Sequence, residues 1–262
     1  MIKNMSEYQR IEPPSIYEVI RVIDGVALYV EEHLNRMYKS ANLMGYYISK
    51  SSKEIKTNIN KLIKANGYKD LNIKLVFSDL DSEEIFLMYY IDSYYPEKSE
   101  YKEGVKTISI KAKRKNPNAK VINENYKSYT KRKIKENGAY EAMLINEEGF
   151  ITEGSRSNVF FVKGDILYTA PPGDVLLGVT RNKIMEACKD LGYKTVEKLV
   201  NIDEINDYEG VFITGTSIDV LPVTWINNTK FSSVDNKIIK NVRNEYLRDV
   251  KKYINEKKSC LV

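Results

Sequence analysis

The chain has 262 residues, 42% of them hydrophobic and 29% charged, which suits one large domain or two modest ones with a packed core. Its 41 basic and 36 acidic side chains leave a net charge of +5, but the signs are interleaved, as in "EEHLNRMYKS" and "RNEYLRDVKKYINEKK". Such runs read as solvated helix faces and argue against a nucleic-acid surface. His33 is the only histidine, and Cys188 and Cys260 lie far apart, so no Cys/His metal cluster or CxxC site is expected and any Ser-His-Asp triad would fall to His33 alone. The opening "MIKNMSEYQRIEPP" lacks the apolar core of a signal peptide, and no apolar run approaches bilayer length. A cytoplasmic protein is the expectation.

In chain order, "SIYEVIRVIDGVALYV" predicts a hairpin around Asp24-Gly25, a good type I′ pair. "EEHLNRMYKSANLMG" predicts a helix with Leu34, Met37, Ala41 and Met44 on one face and Gly45 as its stop. A second helix, "SSKEIKTNINKLIKANGY", opens with the capping pattern Ser51 to Glu54 and closes at Asn66-Gly67. Strands "NIKLVFS", "EIFLMYYID" and "VKTISIKAK" follow, and together these elements form a small N-terminal α+β domain, residues 1–112. The polar, proline-bearing stretch at 113–119 reads as a linker to a larger domain, 120–262. There "VINENYKSYTKRKIKENG" predicts a helix with Ile122, Tyr126 and Tyr129 on its apolar face. Strands "YEAMLI", "FITEG", "NVFFV" and "ILYTA", a helix entered from "LLGV", strands "VFITGTS" and "LPVTWIN", and a terminal helix complete the reading.

Three stretches can carry chemistry. In "ITEGSRSNVFFV", Glu153 sits at a strand end before a small-residue corner; on pattern alone it is an ordinary turn. In "LLGVTRNK", Val179 and Thr180 open a helix, where free amides and the positive dipole end suit a phosphate; the bland reading makes Thr180 a simple N-cap. In "TGTSIDVLP", Gly215, Thr216 and Ser217 form a corner of amides and hydroxyls suited to an anion.

The order of these stretches, together with "SIYEVIRVIDGVALYVEEHLNRMYKSA", resembles the class IV pyridoxal-phosphate aminotransferases, the fold type IV family of branched-chain and D-amino-acid aminotransferases and aminodeoxychorismate lyase. The resemblance runs from about Ser15 to Val223 and is sharpest in "AYEAMLINEEGFITEGSRSNVFFVKGDILYTAP" and "GVTR". It implies a two-domain α+β fold with a barrel-like mixed sheet in the larger domain, a homodimer, and pyridoxal 5'-phosphate at the domain interface. Implied roles follow by motif. Glu153 would meet the pyridine nitrogen, where a carboxylate favours the protonated, electron-withdrawing ring. Arg36, Val179, Thr180, Gly215 and Thr216 would take the phosphate, and Tyr17, Arg156 and Ser217 would face the substrate.

The cofactor also needs a lysine for its Schiff base. Lys120 and Lys127 are the leading candidates. Lys127 falls on the helix side shared with Asn123, Glu124 and Lys131, which reads as solvated. The family pattern puts its lysine just before this helix with an asparagine three to five positions on, and "KVINEN" from Lys120 fits. The expected activity is transfer of an amino group between an amino acid and a 2-oxo acid by a ping-pong mechanism. A lyase releasing pyruvate from aminodeoxychorismate is the alternative on the same fold, and a non-catalytic binding protein the rival of another class. Two departures bear on substrate. Only residues 1–14 precede the region of Tyr17 where the family carries an extra strand pair, so that pocket wall is expected to be reduced or lent by the partner subunit. The loop after "LMYYIDSYYPEK" lacks the arginine–histidine pair of D-amino-acid aminotransferases, which argues against D-amino acids.

Overall fold

The computed structural model describes residues 15–259 except 68–69, 81–82, 113 and 115. The expectations for residues 1–14 and for Cys260 lie outside the described residues. Two compact units emerge. The first comprises Met1–Ser93, Ala119–Glu124 and Tyr253–Val262; the second comprises Tyr94–Asn118 and Asn125–Lys252.

In the first unit, β1 (Ile16–Ile23) pairs antiparallel with the short β2 (Val26–Ala27) and with β3 (Asn72–Leu80), which in turn pairs with β4 (Glu83–Ile91). Asp24 and Gly25 both have positive φ, 51° and 75°, as the predicted I′ turn requires. Strand β1 alternates buried and half-buried positions, so Ile16, Ile20 and Val22 enter the core while Tyr17, Val19 and Arg21 share the opposite face. That core is closed by α1 (Val30–Leu43), through Leu34, Met37 and Ala41, and by α2 (Ser52–Ala65), through Ile55, Ile59 and Ile63. The capping box forms as the sequence predicts: Ser51 accepts from the Glu54 amide, and Glu54 accepts from the Ser51 amide.

The second unit is built on a mixed sheet whose central strands are β8 (Asn158–Lys163), β12 (Gly210–Gly215), β13 (Asp219–Ile226), β5 (Val105–Lys111), β6 (Glu141–Ile145) and β7 (Phe150–Gly154), in that order. β5 and β6 are parallel, joined by the crossover helix α4 (Glu124–Glu136), while the hairpins β6–β7 and β12–β13 are antiparallel. One face packs Met143, Val159, Phe161, Val211, Ile213, Leu221 and Val223 into a continuous core. α5 (Val179–Asp190) buries Ile184, Ala187 and Cys188. The helix α3 (Lys98–Glu103) and the strands β9 (Ile166–Thr169), β10 (Lys194–Glu197), β11 (Val200–Asn201) and β14 (Thr229–Lys230) complete this unit. Helix α6 (Lys237–Ser259) groups with it up to Lys252 and with the first unit from Tyr253.

The structure departs from the sequence reading at three places. Strand Val105–Lys111, read as the end of the small domain, pairs with β13 and β6 in the larger sheet. Residues 119–124, read as the start of the larger domain, group with the first unit instead: the Tyr17 amide donates to the Lys120 carbonyl (3.0 Å), Ile122 N donates to Ser15 O (2.8 Å), and Val121 bridges Ile16. The predicted helix begins at Glu124, so Ile122 is not on its face. Its inner side is Tyr126, Thr130 and Ile134, while Tyr129 is exposed.

Candidate active site

Within the first unit, the sequence candidates Tyr17 and Lys120 come together. The backbone pairing beside β1, with the Lys120 amide donating to Ser40 Oγ (3.2 Å), sets the lysine's register against Tyr17. Lys120 Nζ then lies 4.8 Å from the centre of the Tyr17 ring, and Lys74 Nζ lies 5.4 Å from the same ring. Lys127 is half-buried on α4.

Arg36 is not the exposed helix charge that its neighbours suggest. Its Nε and Nη2 donate to the two oxygens of Glu18, at 2.7 and 2.6 Å, and His33 Nδ1 lies 2.8 Å from the same carboxylate. Glu18 occupies a core phase of β1 between Ile16 and Ile20 and is fully buried. Burial raises its proton affinity, but the ion pair and bonds with Arg36, helped by His33, override that and hold its pKa at about 2. Burial acts oppositely on His33 and, with the charges of Arg36 and Lys120, pushes its pKa below the ordinary 6.5 despite the bond to Glu18.

This pair gives the fold a defined acid sensitivity. As pH falls below 6.5, the unfolded chain takes up a proton on His33 that the folded chain resists, so stability declines through that range. Glu18 adds a second loss between about 4.5 and about 2. Because the chain has a single histidine, thermal midpoints at pH 7, 6 and 5 isolate the first effect. We expect the decline from pH 7 to 5 to flatten in His33→Asn; an equal slope in both proteins would contradict the assignment.

In the second unit Glu153 lies at the end of β7, just before the corner, and is buried. Its Oε1 lies 3.2 Å from Arg114 Nε, and its Oε2 accepts from the Leu176 amide at 3.2 Å. Arg114 also donates to the Ser155 carbonyl (3.0 Å), which accepts from Tyr126 as well (3.3 Å). Glu141, fully buried on β6, clamps the corner from below: it accepts from the Ser155 hydroxyl (2.5 Å) and amide (3.2 Å), the Ala142 amide (2.8 Å) and the Ser157 hydroxyl (3.1 Å). A methyl group at Gly154 would collide with Ser157 Oγ and press on the Glu141 carboxylate, so the glycine is required for this clamp.

The same region fixes the start of α5. Asn158 donates to the Leu176 carbonyl (2.9 Å), and a methyl group at Gly178 would collide with Asn158 Oδ1. Gly178, not Thr180, is the N-cap; the first i to i−4 bond runs from Asn182 to Gly178, so the amides of Val179 and Thr180 precede it in the first turn. Both residues are buried. Arg181 is buried too, donating to Ala170 O (3.0 Å) and Glu197 (2.8 Å), and this anchors the turn. Gly215, Thr216 and Ser217 form the half-buried corner between β12 and β13. Arg156 is exposed; it donates to Tyr140 O (3.0 Å) and its Nε lies 3.5 Å from Glu141.

Sequence reasoning missed Glu18, Arg114 and Glu141. Glu18 and Glu141 had a signal, a lone carboxylate at an apolar phase of a strand. Arg114 had none, being one of several cations in a polar stretch. Cys188 is a bystander: burial raises its pKa to about 12, which leaves the thiol unreactive. Among the described residues no cluster of His, Cys, Asp or Glu could hold a metal, and no helix is long and apolar enough to cross a membrane.

Each unit by itself carries groups of a kind that suits pyridoxal phosphate: in the first an amine against an aromatic ring and an oriented guanidinium, in the second a buried carboxylate and an anchored helix N-terminus. The family model described as amino-transferase class IV matches residues 15–226. The chain is 33% identical over 241 residues to the D-alanine aminotransferase of Bacillus licheniformis, covering 87% of this chain and 84% of that protein. It is 25% identical over 257 residues to the aminodeoxychorismate lyase of Bacillus subtilis, covering 92% and 87%. Its fold is similar to that of the T.th. branched-chain amino acid aminotransferase with pyridoxamine 5'-phosphate, with a TM-score of 0.80 and 26% identity over 90% of this chain and 85% of the other. The chain therefore has the fold type IV architecture and belongs to the class IV aminotransferases, a family of pyridoxal-phosphate-dependent enzymes.

Proposed function

We propose that the protein is an aminotransferase that passes an amino group from an amino acid to a 2-oxo acid in two half-reactions, with Lys120 as the residue that holds the cofactor. The observation that carries this reading is the Lys120 amine fixed against Tyr17 in a chain that matches the family over residues 15–226. Bound pyridoxal phosphate supplies the electron sink that makes the substrate α-proton acidic. The protein supplies the rest. With the cofactor bound, the freed Lys120 amine would take up the substrate α-proton and give it back. Glu153, its carboxylate held in place by Arg114 and the Leu176 amide, would pair with the pyridine nitrogen. The residues that would take the phosphate are Arg36 of the first unit and, in the second, the first-turn amides of Val179 and Thr180 and the corner at Gly215 and Thr216. Tyr17, Arg156 and Ser217 face the substrate. The enzyme works as a cytoplasmic homodimer.

Glu153→Gln keeps the shape of the side chain but removes the charge. A charge-assisted hydrogen bond contributes about 1.5–3 kcal/mol, so the half-reaction rate should fall roughly 10- to 150-fold. A rate within twofold of the parent would contradict the role. The likeness to aminodeoxychorismate lyase supports a second reading, release of pyruvate from aminodeoxychorismate. Incubating the loaded protein with a panel of L- and D-amino acids separates the two. Conversion of the visible spectrum to the pyridoxamine form, reversed by a 2-oxo acid, supports transamination. Pyruvate from aminodeoxychorismate with no donor giving that conversion would overturn it.

A further inference from the structure

We propose that Glu18 and His33 are positioning residues that fix the Arg36 guanidinium in the orientation that receives the cofactor phosphate; this rests on the reading above that Arg36 is a phosphate ligand. Three observations carry it. Glu18 stands where the alternation of β1 calls for an apolar side chain, with Ile16 and Ile20 on either side of it in the core. A buried ion pair is seldom the most stabilising choice at such a place, because the desolvation of two charges offsets most of their attraction. The arrangement does give orientation. Two parallel bonds from Nε and Nη2 to one carboxylate fix both the plane and the direction of the guanidinium, which no single contact could do. His33 completes the holder: it lies one turn before Arg36 on α1 and meets the same carboxylate oxygen that Nη2 binds, so Glu18 is held from the helix at two points.

An arginine side chain that must find its rotamer on binding loses entropy at that moment, and one already held does not. The cofactor with phosphate should therefore gain affinity over the same cofactor without it only while the holder is intact. The measurement is the ratio of pyridoxal to pyridoxal-phosphate dissociation constants, read from visible absorbance on the full-length protein. Arg36→Met first establishes the baseline: if it leaves the ratio unchanged, Arg36 is not a phosphate ligand and the underlying reading fails. With that baseline in hand, Glu18→Gln tests the holder. It keeps the size of the side chain and removes the bidentate acceptor, and we expect the ratio to drop about tenfold toward the Arg36→Met value.

Charge arithmetic alone makes the opposite prediction, since removing an anion beside Arg36 should strengthen phosphate binding and raise the ratio. A purely structural role makes a third, equal weakening of both ligands with the ratio unchanged. Either of these outcomes overturns the proposal. Should Glu18→Gln fail to fold, His33→Asn, which leaves the ion pair in place, is expected to lower the ratio by roughly threefold. An unchanged ratio in that variant would be equally decisive against it.

Discussion

Lys120→Ala is expected to lower the transamination rate by at least about 10³-fold, since one amine both holds the cofactor and carries the proton. The protein should stay folded. The side chain is half-buried against the face of the Tyr17 ring, an interaction of about 0.5–1 kcal/mol, and the backbone bonds to Tyr17 and Ser40 do not depend on it. Lys127→Ala provides the contrast and should retain activity within about twofold. Kinetics on the two variants, with their thermal midpoints as a control for folding, check the result. Comparable activity in Lys120→Ala and the parent protein would contradict the role.

Glu141→Ala should be the most destabilising change at the site. The carboxylate is fully buried and accepts from two amides and two hydroxyls; the Ser155 amide keeps its bond to the Ala142 carbonyl, so alanine takes this acceptor from the other three donors without that replacement. Unsatisfied buried donors cost about 1–3 kcal/mol each, partly relieved by relaxation or water entry, so a net loss of about 3–5 kcal/mol is expected. For a chain of this size that corresponds to a fall of roughly 6–20 °C in the thermal midpoint. Glu141→Gln, which keeps an acceptor oxygen, should lose about half as much. A midpoint within 2 °C of the parent in Glu141→Ala would mean that the clamp is not structural. The corner it holds directly follows Glu153, so cofactor affinity should fall together with stability.

Local signals told most of the fold. The Asp24-Gly25 turn, the Ser51 capping box and the alternation along β1 are each decided by neighbouring residues, and each is where the sequence places it. Placement across the chain was harder. β5 carries the composition of any half-buried strand, and only its parallel pairing with β6 and β13 assigns it to the larger sheet. The segment around Lys120 reads as linker because it is polar and short. Its true partner, the backbone of β1, lies about a hundred positions earlier in the chain. Hydrogen bonds between such distant stretches leave no period or spacing to detect.

The candidate site followed the same division. Glu153, Arg36 and the start of α5 could be singled out because each belongs to a motif. Their supports could not, because Arg114, Glu18 and Glu141 matter through what they touch. Of these, a carboxylate at an apolar phase of a strand is the one kind of support that a sequence can advertise. Desolvation makes such a residue costly unless it is paired, so its presence points to a partner.

The central claim, that Lys120 is the residue holding the cofactor, is tested most directly by reducing the loaded protein with borohydride, digesting it and locating the modified lysine by mass spectrometry. A single modified peptide is expected, with the cofactor on Lys120. Modification of Lys127, or of any other lysine in place of Lys120, would contradict it.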